Sequence, residues 1–304
     1  AEAGLDLPFV YDAFNVEADL KAAVLPDSDV GRKLLAQVIE VEGAAMRGAT
    51  AVTACSSIDA DELSRRYGRD RADITVIPNG TDIDRPLATA EVRARRAARW
   101  QDRYSQVGLS GRRREHLAVF FGSWHPPNLD AVRLLIELAP QLDHTLIVGV
   151  GSHGMAFADE SVPANVVFPG VVTDTVKDAL LGCADVALNP MRTGSGTNLK
   201  LLEYLAAGAP VVSTPFGARG IDVVDQEHLL LAEPDAYAVA VTSSLADPAG
   251  ARRRAEAGRS FVAARYAWPA LGDRLWAVVS TVAGTRTPTS AGSSVPVGSG
   301  APAV

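Results

Sequence analysis

The chain has 304 residues, of which 47% are hydrophobic and 21% are charged, as in a folded globular protein of about two domains. Its net charge of −7 disfavours a general nucleic-acid-binding protein. Two widely separated cysteines, Cys55 and Cys183, match no metal-binding spacing and predict buried thiols, no disulfide and a cytoplasmic location.

The first part of the chain predicts alternating strands and helices. Strand 7–17 begins apolar and ends in polar residues, as a strand does at a ligand-facing edge of a sheet. Helix 29–47 has an apolar side that includes Leu34, Leu35 and Val38. The other predicted elements are strand 50–56, helix 60–67 and strand 74–80.

The second part of the chain continues this alternation. The predicted strands are 117–121, 145–151, 166–172, 184–190, 211–214 and 227–231. The predicted helices are 93–103, 129–138, 178–183, 198–207, 235–245, 248–266 and 268–282. This order predicts an α/β protein with parallel sheets and a ligand at the carboxyl ends of the strands. The segment 283–304 is rich in Gly, Ser, Thr, Pro and Ala, which predicts a disordered tail.

The segment 189–214 predicts a strand end, a glycine loop, a helix, a turn and another strand. Gly194 and Gly196 can adopt backbone angles that are closed to other residues, and Thr197 or Asn198 is expected to cap the helix. The first amides of that helix, from Ser195 to Leu199, would then suit a phosphate or diphosphate.

Lys200 and Glu203 lie three residues apart and therefore share one face of this helix. Lys200 would suit a phosphate oxygen, and Glu203 would suit the hydroxyl groups of a sugar or a ribose. The residues alone leave a second interpretation open, in which the loop binds nothing and the two side chains form a solvated ion pair.

The sequence 194–214, GSGTNLKLLEYLAAGAPVVST, resembles the donor-site signature of the family 4 retaining glycosyltransferases of the GT-B fold. It matches the branch written G-S-G-T-x-x-K-x-x-E-x-x-A-x-G-x-P-V-V-x-T. The sequence I-P-N-G at 77–80 is a second hallmark of that family. The resemblance extends over about 8–282.

The resemblance implies two Rossmann-like domains with parallel sheets. The N-terminal, acceptor-side domain would span 1–87 and would be incomplete, because the first strands of the family's domain have no counterpart here. The donor-nucleotide-binding domain would span 88–267. Helix 268–282 would return to the N-terminal domain, and the tail would be 283–304.

The resemblance also implies the site residues. Lys200 and Glu203 would be catalytic. The donor would be bound by a turn after strand 117–121 and by the glycine loop, that is, by Gly122, Ser123, Asn128, Gly194, Ser195, Gly196, Thr197, Asn198 and Leu199. No metal and no cofactor is expected, and Asp82 and Asp84 are not expected to bind one.

Three positions depart from the family pattern. Phe14 stands where the family usually has a histidine near the reacting sugar. Ser195 replaces the first glutamate of the common signature, which leaves the sugar specificity open. The turn that begins at Gly122 lacks the arginine and lysine of many members, so Lys200 would carry more of the diphosphate charge.

The leading hypothesis is a glycosyltransferase that moves a sugar, with retention, from a nucleoside diphosphate sugar to a hydroxyl of a glycan, a lipid-linked or a small-molecule acceptor. It would act in bacterial glycan or glycolipid synthesis. The alternative is a non-catalytic sugar-nucleotide-binding remnant or subunit, and a GT-B epimerase is a third, disfavoured hypothesis. No membrane span or secretory signal is found, and the basic helix 93–103 predicts either a solvated face or a weak attraction to anionic lipids.

Overall fold

The structure is a computed structural model that describes residues 7–84, 87–107, 113–194 and 196–284, with only the backbone of 105–107. Ser195 and most of the predicted tail, 285–304, lie outside the described residues. Residues 283 and 284, which were assigned to the tail, instead end the last helix. No helix in the described part is long and apolar enough to cross a membrane.

The first sheet has three parallel strands in the order β1-β2-β3. Its strands are Val10–Ala13 (β1), Ala51–Ala54 (β2) and Ile74–Val76 (β3). The helices around it are Glu17–Val24 (α1), Asp29–Gly48 (α2) and Ser57–Tyr67 (α3), followed by the 3-10 turn Arg71–Asp73.

Helix α1 contradicts the prediction of one strand from 7 to 17. The strand stops at Ala13, and α1 begins at Glu17. The carboxylate of Glu42, a buried residue of α2, accepts hydrogen bonds from the backbone N–H groups of Glu17 (2.7 Å) and Ala18 (3.1 Å). The unpaired amides of a helix start are therefore satisfied from a residue distant in sequence, and no local capping signal is needed.

The second sheet has six parallel strands in the order β6-β5-β4-β7-β8-β9. Its strands are His116–Phe121 (β4), Thr145–Val150 (β5), Val166–Gly170 (β6), Val186–Asn189 (β7), Val211–Ser213 (β8) and Leu230–Leu231 (β9). The strand order reverses between β4 and β7, which is where parallel α/β sheets open a ligand-binding crevice. The predicted parallel α/β class is confirmed.

The helices of the second part are Ala90–Val107 (α4), Pro126–Leu138 (α5), Asp174–Leu181 (α6), Leu199–Ala206 (α7), Tyr237–Ala246 (α8), Pro248–Arg265 (α9) and Trp268–Gly284 (α10). The 3-10 turns are Ala139–Leu142, Ser152–Phe157 and Pro234–Ala236. Helix α6 begins four residues earlier than predicted, because the Thr173 hydroxyl accepts a hydrogen bond from the backbone of Val176 at 3.4 Å. The predicted domain boundaries stay a prediction.

Two buried tyrosines hold the carboxyl ends of the strands at the switch point. The Tyr204 hydroxyl accepts a hydrogen bond from the backbone N–H of Phe121 at 2.8 Å. The Tyr237 hydroxyl accepts from the backbone N–H of Asn189 at 2.8 Å and donates to the carbonyl of Val212 at 2.7 Å. These bonds satisfy backbone groups where the pairing of the strands ends, and they fix the positions from which the ligand-facing loops leave.

Replacing Tyr237 with phenylalanine is expected to lower the free energy of unfolding by about 1–3 kcal/mol, because two buried backbone groups lose their partner. Denaturant titration measures this change. Tyr266→Phe is the matched control, since among the described residues the hydroxyl of Tyr266 accepts a single hydrogen bond, from the backbone N–H of Asp222 at 3.4 Å. Equal losses of unfolding free energy in both variants would show that the two hydrogen bonds of Tyr237 contribute no more to stability than the single hydrogen bond of Tyr266.

Candidate functional site

The loops that follow β4 and β7 meet at the switch point, and the glycine loop adopts the predicted backbone. Gly194 has a φ of +135° and Gly196 a φ of +63°. A Cβ atom on Gly196 would lie 2.3 Å from Oδ1 of Asn15 and 3.3 Å from the carbonyl oxygen of Phe14. The glycine loop therefore packs directly against the segment that follows β1, and only glycine fits there.

The predicted capping of α7 by Thr197 or Asn198 is wrong. Asn198 is the N-cap residue, but its side chain makes no capping hydrogen bond. It donates instead from Nδ2 to Oδ1 of Asn189 at 2.8 Å. The hydroxyl of Thr197 is buried without a hydrogen-bond partner among the described residues. The start of α7 thus carries no side-chain cap, which leaves its dipole without a local negative group.

Asn189 organises the loop, because its side chain uses both ends of its amide. Its Nδ2 donates to Oγ of Ser213 (2.9 Å) and to the carbonyl of Gly217 (3.0 Å), while its Oδ1 accepts from Asn198. Asn189 has no exposed surface. It therefore ties the glycine loop to the loop that follows β8, and this link draws Asn198 away from capping.

The side chain of Lys200 lies in the crevice of the second sheet and contacts residues of the turn after β4. Its ammonium lies 2.6 Å from Oδ1 of Asn128, 3.4 Å from Sδ of Met191 and 4.5 Å from the centre of the Phe120 ring. Nδ2 of Asn128 in turn donates to the carbonyl of Ser123 at 3.0 Å. Lys200, Asn128 and Ser123 were predicted to share a site, and the structure brings them together with Gly122 beside them.

Burial lowers the pKa of Lys200 to about 7, and the nearby carboxylate of Glu203 opposes this shift only in part. A buried ammonium without a counter-ion is costly, so an anion that reaches Lys200 would raise its pKa again. An arriving anion would thus stabilise the charged form of Lys200.

This pKa predicts proton uptake on binding. At about pH 8 the free protein holds Lys200 mostly neutral, whereas the complex with a diphosphate holds it charged, so binding is expected to take up close to one proton. A terminal phosphate is already ionised at that pH and contributes little. Calorimetry in buffers of different ionisation enthalpy measures the uptake. It should vanish in Lys200→Met, and uptake that persists in this variant would exclude Lys200 as its source.

Glu203 lies one turn further along α7 and faces a different partner. Its Oε2 is 3.3 Å from the ammonium of Lys177 on α6, and its side chain is 36% exposed. The interpretation of Lys200 and Glu203 as a pair with each other is therefore wrong, because each has its own partner. Glu203 keeps part of its carboxylate open to solvent, where it can accept hydrogen bonds from hydroxyl groups.

The sequence did not identify His153, which supports the turn after β4. Its ring is fully buried, and Nδ1 lies 2.7 Å from the carbonyl of Gly122. Burial lowers the pKa of His153, so the ring is neutral and Nδ1 donates to that carbonyl. The one feature of the sequence that could have identified His153 is its position just after β5, at the carboxyl edge of the sheet.

Two arginines near the loop differ in how their charge is used. Arg192 forms a two-bond ion pair with Asp130, at 3.0 and 2.5 Å, which engages its guanidinium. Arg219 donates to the carbonyl of Gly196 at 3.3 Å and lies over the Phe216 ring. Arg219 therefore supports the glycine loop from the side of the loop after β8.

A cavity of about 470 Å³ lies between the two sheets at the mouth of this site. Its walls come from α1, α3, the start of α5 and the glycine loop, including Val16, Asp59, Glu62, Pro126, Gly194 and Arg219. The backbone carbonyl of Phe14 lies beside the glycine loop, and its side chain is 61% exposed, so Phe14 is not a core aromatic residue. The arrangement can hold an anion against α7 and admit a second molecule from the side of the first sheet.

Comparisons with known proteins agree with this architecture. The family model "Glycosyl transferases group 1" matches residues 115–247, and "Glycosyltransferase Family 4" matches residues 26–85. Glycogen synthase of Mycobacterium tuberculosis is 30% identical over 250 residues, which are 79% of this chain and 56% of that protein. Phosphatidyl-myo-inositol mannosyltransferase of the same species is 27% identical over 243 residues, 75% of this chain and 60% of that protein.

Solved structures with the same fold include a sucrose-phosphate synthase from Thermosynechococcus elongatus, with a TM-score of 0.69, 21% identity and coverage of 91% of this chain and 68% of that one. Another is Anabaena Alr3699/HepE in complex with UDP and glucose, with a TM-score of 0.68 and 17% identity. The match covers 90% of this chain and 72% of that one. The chain thus spans a little more than half the length of the curated relatives that it matches.

Proposed function

Because this chain belongs to the group 1 glycosyl transferases of the GT-B fold, we propose that it transfers a sugar, with retention, from a nucleoside diphosphate sugar to an acceptor hydroxyl. The observation that carries the proposal is the buried ammonium of Lys200, held at the start of α7 by Asn128. It stands where an anion gains both a full positive charge and the unpaired amides of a helix start.

In the proposed reaction the bond between the anomeric carbon and the diphosphate oxygen breaks, and its electron pair stays on that oxygen. Lys200 and the amides of 196–199 stabilise the developing charge. The acceptor oxygen approaches on the face that the leaving group occupies and bonds to the anomeric carbon. Its proton passes to the departing diphosphate. Glu203 holds a hydroxyl of the ribose or the sugar.

The proposed donor is a sugar nucleotide, since a structural neighbour contains UDP and glucose. The proposed acceptor is a glycan, a lipid-linked or a small-molecule hydroxyl in bacterial glycan or glycolipid synthesis, since relatives include a glycogen synthase and a phosphatidyl-myo-inositol mannosyltransferase. The acceptor would enter through the 470 Å³ cavity between the sheets. We place the reaction in the cytoplasm, with at most a peripheral contact with the membrane.

The experiment that tests this function analyses what happens to the sugar of the donor. UDP-, GDP- and ADP-sugars are incubated with the chain, and the products are analysed by NMR for nucleotide release and for the configuration at the anomeric carbon. Release of nucleoside diphosphate with a retained anomeric configuration is expected. An epimerised sugar would contradict transfer and favour the epimerase, and an inverted product would contradict retention.

A second candidate is a non-catalytic sugar-nucleotide-binding protein. The observation that favours it is Phe14, whose backbone carbonyl lies beside Gly196 and whose exposed ring has no group that can donate a hydrogen bond or carry charge. This candidate predicts donor binding without any release of nucleotide.

Glu203→Gln is expected to weaken binding of a sugar nucleotide about tenfold, while binding of inorganic pyrophosphate stays unchanged. The reason is that Glu203 is proposed to contact hydroxyl groups and not the diphosphate. Both constants are measured by calorimetric titration. Lys177→Met is the matched control, because it removes the ion-pair partner of Glu203 and keeps the carboxylate. If Lys177→Met weakened binding of the sugar nucleotide as much as Glu203→Gln does, the effect would come from the ion pair.

A further inference from the structure

A second cavity, of about 880 Å³, lies between α4, α6 and α9. It touches Ala207, which follows the last residue of α7, whereas the candidate donor site lies at the first residue of that helix. The two sites are thus at opposite ends of α7, roughly 12 Å apart along its axis. We infer that this cavity, the arginine cleft, binds the phosphate group of a ligand that also carries an apolar body.

Two of the three helices around the cleft, α4 and α9, have a net charge opposite to that of the whole chain, whereas α6 has a net charge of −1. Helix α4 contains five arginines against Glu91 and Asp102, for a net charge of +3, and α9 contains five arginines against Glu256, for a net charge of +4. The chain as a whole has a net charge of −7. A local excess of this size attracts anions to one face of an otherwise acidic protein.

Folding accounts for some of these arginines but not for all of them. Arg93 is buried and donates to the carbonyl of Ala184 at 3.0 Å, and Arg259 donates to the carbonyl of Ala206 at 2.6 Å. Arg96 and Arg99 line the cleft, are exposed, and make no hydrogen bond or ion pair with any residue that the structure describes. Their guanidinium groups therefore remain available to a ligand.

The lining of the cleft indicates the chemistry of that ligand. Four guanidinium groups face it against two carboxylates, those of Asp102 and Asp178, so the balance of charge favours an anion. Arginine forms paired hydrogen bonds with phosphate oxygens, which suits it to a phosphate group. Trp100 supplies an apolar wall, stacked on Tyr104 at 5.5 Å between ring centres. A phosphate group on an apolar body, in a soluble molecule or a lipid, fits both features.

The test uses the double variant Arg96→Gln/Arg99→Gln. Its matched control is Arg32→Gln/Lys33→Gln, which removes two exposed positive charges from α2. Binding of inorganic tripolyphosphate is measured by calorimetry. Binding to vesicles of phosphatidylcholine, with and without phosphatidylglycerol, is measured by co-sedimentation. Circular dichroism confirms that each variant is folded.

We expect the cleft variant to weaken binding about tenfold in at least one arm, while the control binds as the unchanged protein does. An effect with vesicles that contain phosphatidylglycerol assigns the phosphate to a lipid headgroup, and an effect only with tripolyphosphate assigns it to a soluble ligand. Equal losses in the cleft variant and the control, or no binding in either arm, would overturn the inference. A loss of tripolyphosphate binding only in Lys200→Met would place that anion at the donor site and overturn the soluble-ligand arm.

Discussion

Lys200→Met is expected to weaken binding of a nucleoside diphosphate about 100-fold. Lys200 is the ammonium at the start of α7, while the charge of Arg192 is engaged by Asp130 and the turn that begins at Gly122 contains no arginine or lysine. Methionine has a similar length and fills the same space against Met191 and Phe120. The dissociation constant is measured by equilibrium dialysis with a labelled nucleotide.

The fold should tolerate this change, because Lys200→Met removes a buried charge whose lowered pKa shows that its environment disfavours the charged form. The melting temperature is therefore expected to stay the same or to rise. Lys33→Met is the matched control, since Lys33 is an exposed residue of α2. Unchanged nucleotide binding in Lys200→Met, with a folded protein, would remove Lys200 from the site.

Gly196→Ala is expected to lower the turnover of a sugar nucleotide about 100-fold, or its binding if the chain proves to be non-catalytic. The new methyl group would come 2.3 Å from Oδ1 of Asn15 and 3.3 Å from the carbonyl oxygen of Phe14, so the Asn15 side chain must move and the loop is pushed away from the segment that follows β1. A shift of about 1 Å displaces the amides of 196–199 from the diphosphate, and errors of that size cost about two orders of magnitude in rate.

Gly68→Ala provides a close control for Gly196→Ala. Gly68 has a φ of +71°, close to the +63° of Gly196, but a Cβ atom there would meet nothing within 4 Å. Both variants pay the backbone strain of about 1–2 kcal/mol, and only Gly196→Ala adds the steric contact. A similar loss of activity in both would attribute the effect to stability and contradict the role assigned to the loop.

The sequence predicted the parts of the site that depend on local pattern. The glycine loop and the positive φ angles of Gly194 and Gly196 follow from residue type and spacing. The order of strands along the chain likewise predicted a parallel sheet and the end at which the site lies. The family signature put Lys200 and Asn128 in one donor site, but the hydrogen bond between them is seen only in the structure.

The sequence failed where a partner comes from a distant segment. Helix α1 was missed because Glu42, on another helix, binds its first amides. The cap of α7 was assigned to Thr197 or Asn198, but Asn189 binds the side chain of Asn198, and the Thr197 hydroxyl has no partner among the described residues. The sequence also left open an ion pair between Lys200 and Glu203, but α6 brings Lys177 to Glu203 instead. Each error concerns a contact that appears only after the chain has folded.

The measurement that tests the central claim most directly is calorimetric titration of the chain with UDP, GDP and ADP. We expect one of the three nucleotides to bind with a clear preference. Lys200 and the amides of 196–199 would bind the diphosphate of all three, and the rest of the site would select the base. The same titration of Lys200→Met should show a much weaker complex, and that of Lys33→Met an unchanged one. If none of the three nucleotides binds to the unchanged protein, the start of α7 does not bind the diphosphate of a sugar nucleotide and the proposed function is wrong.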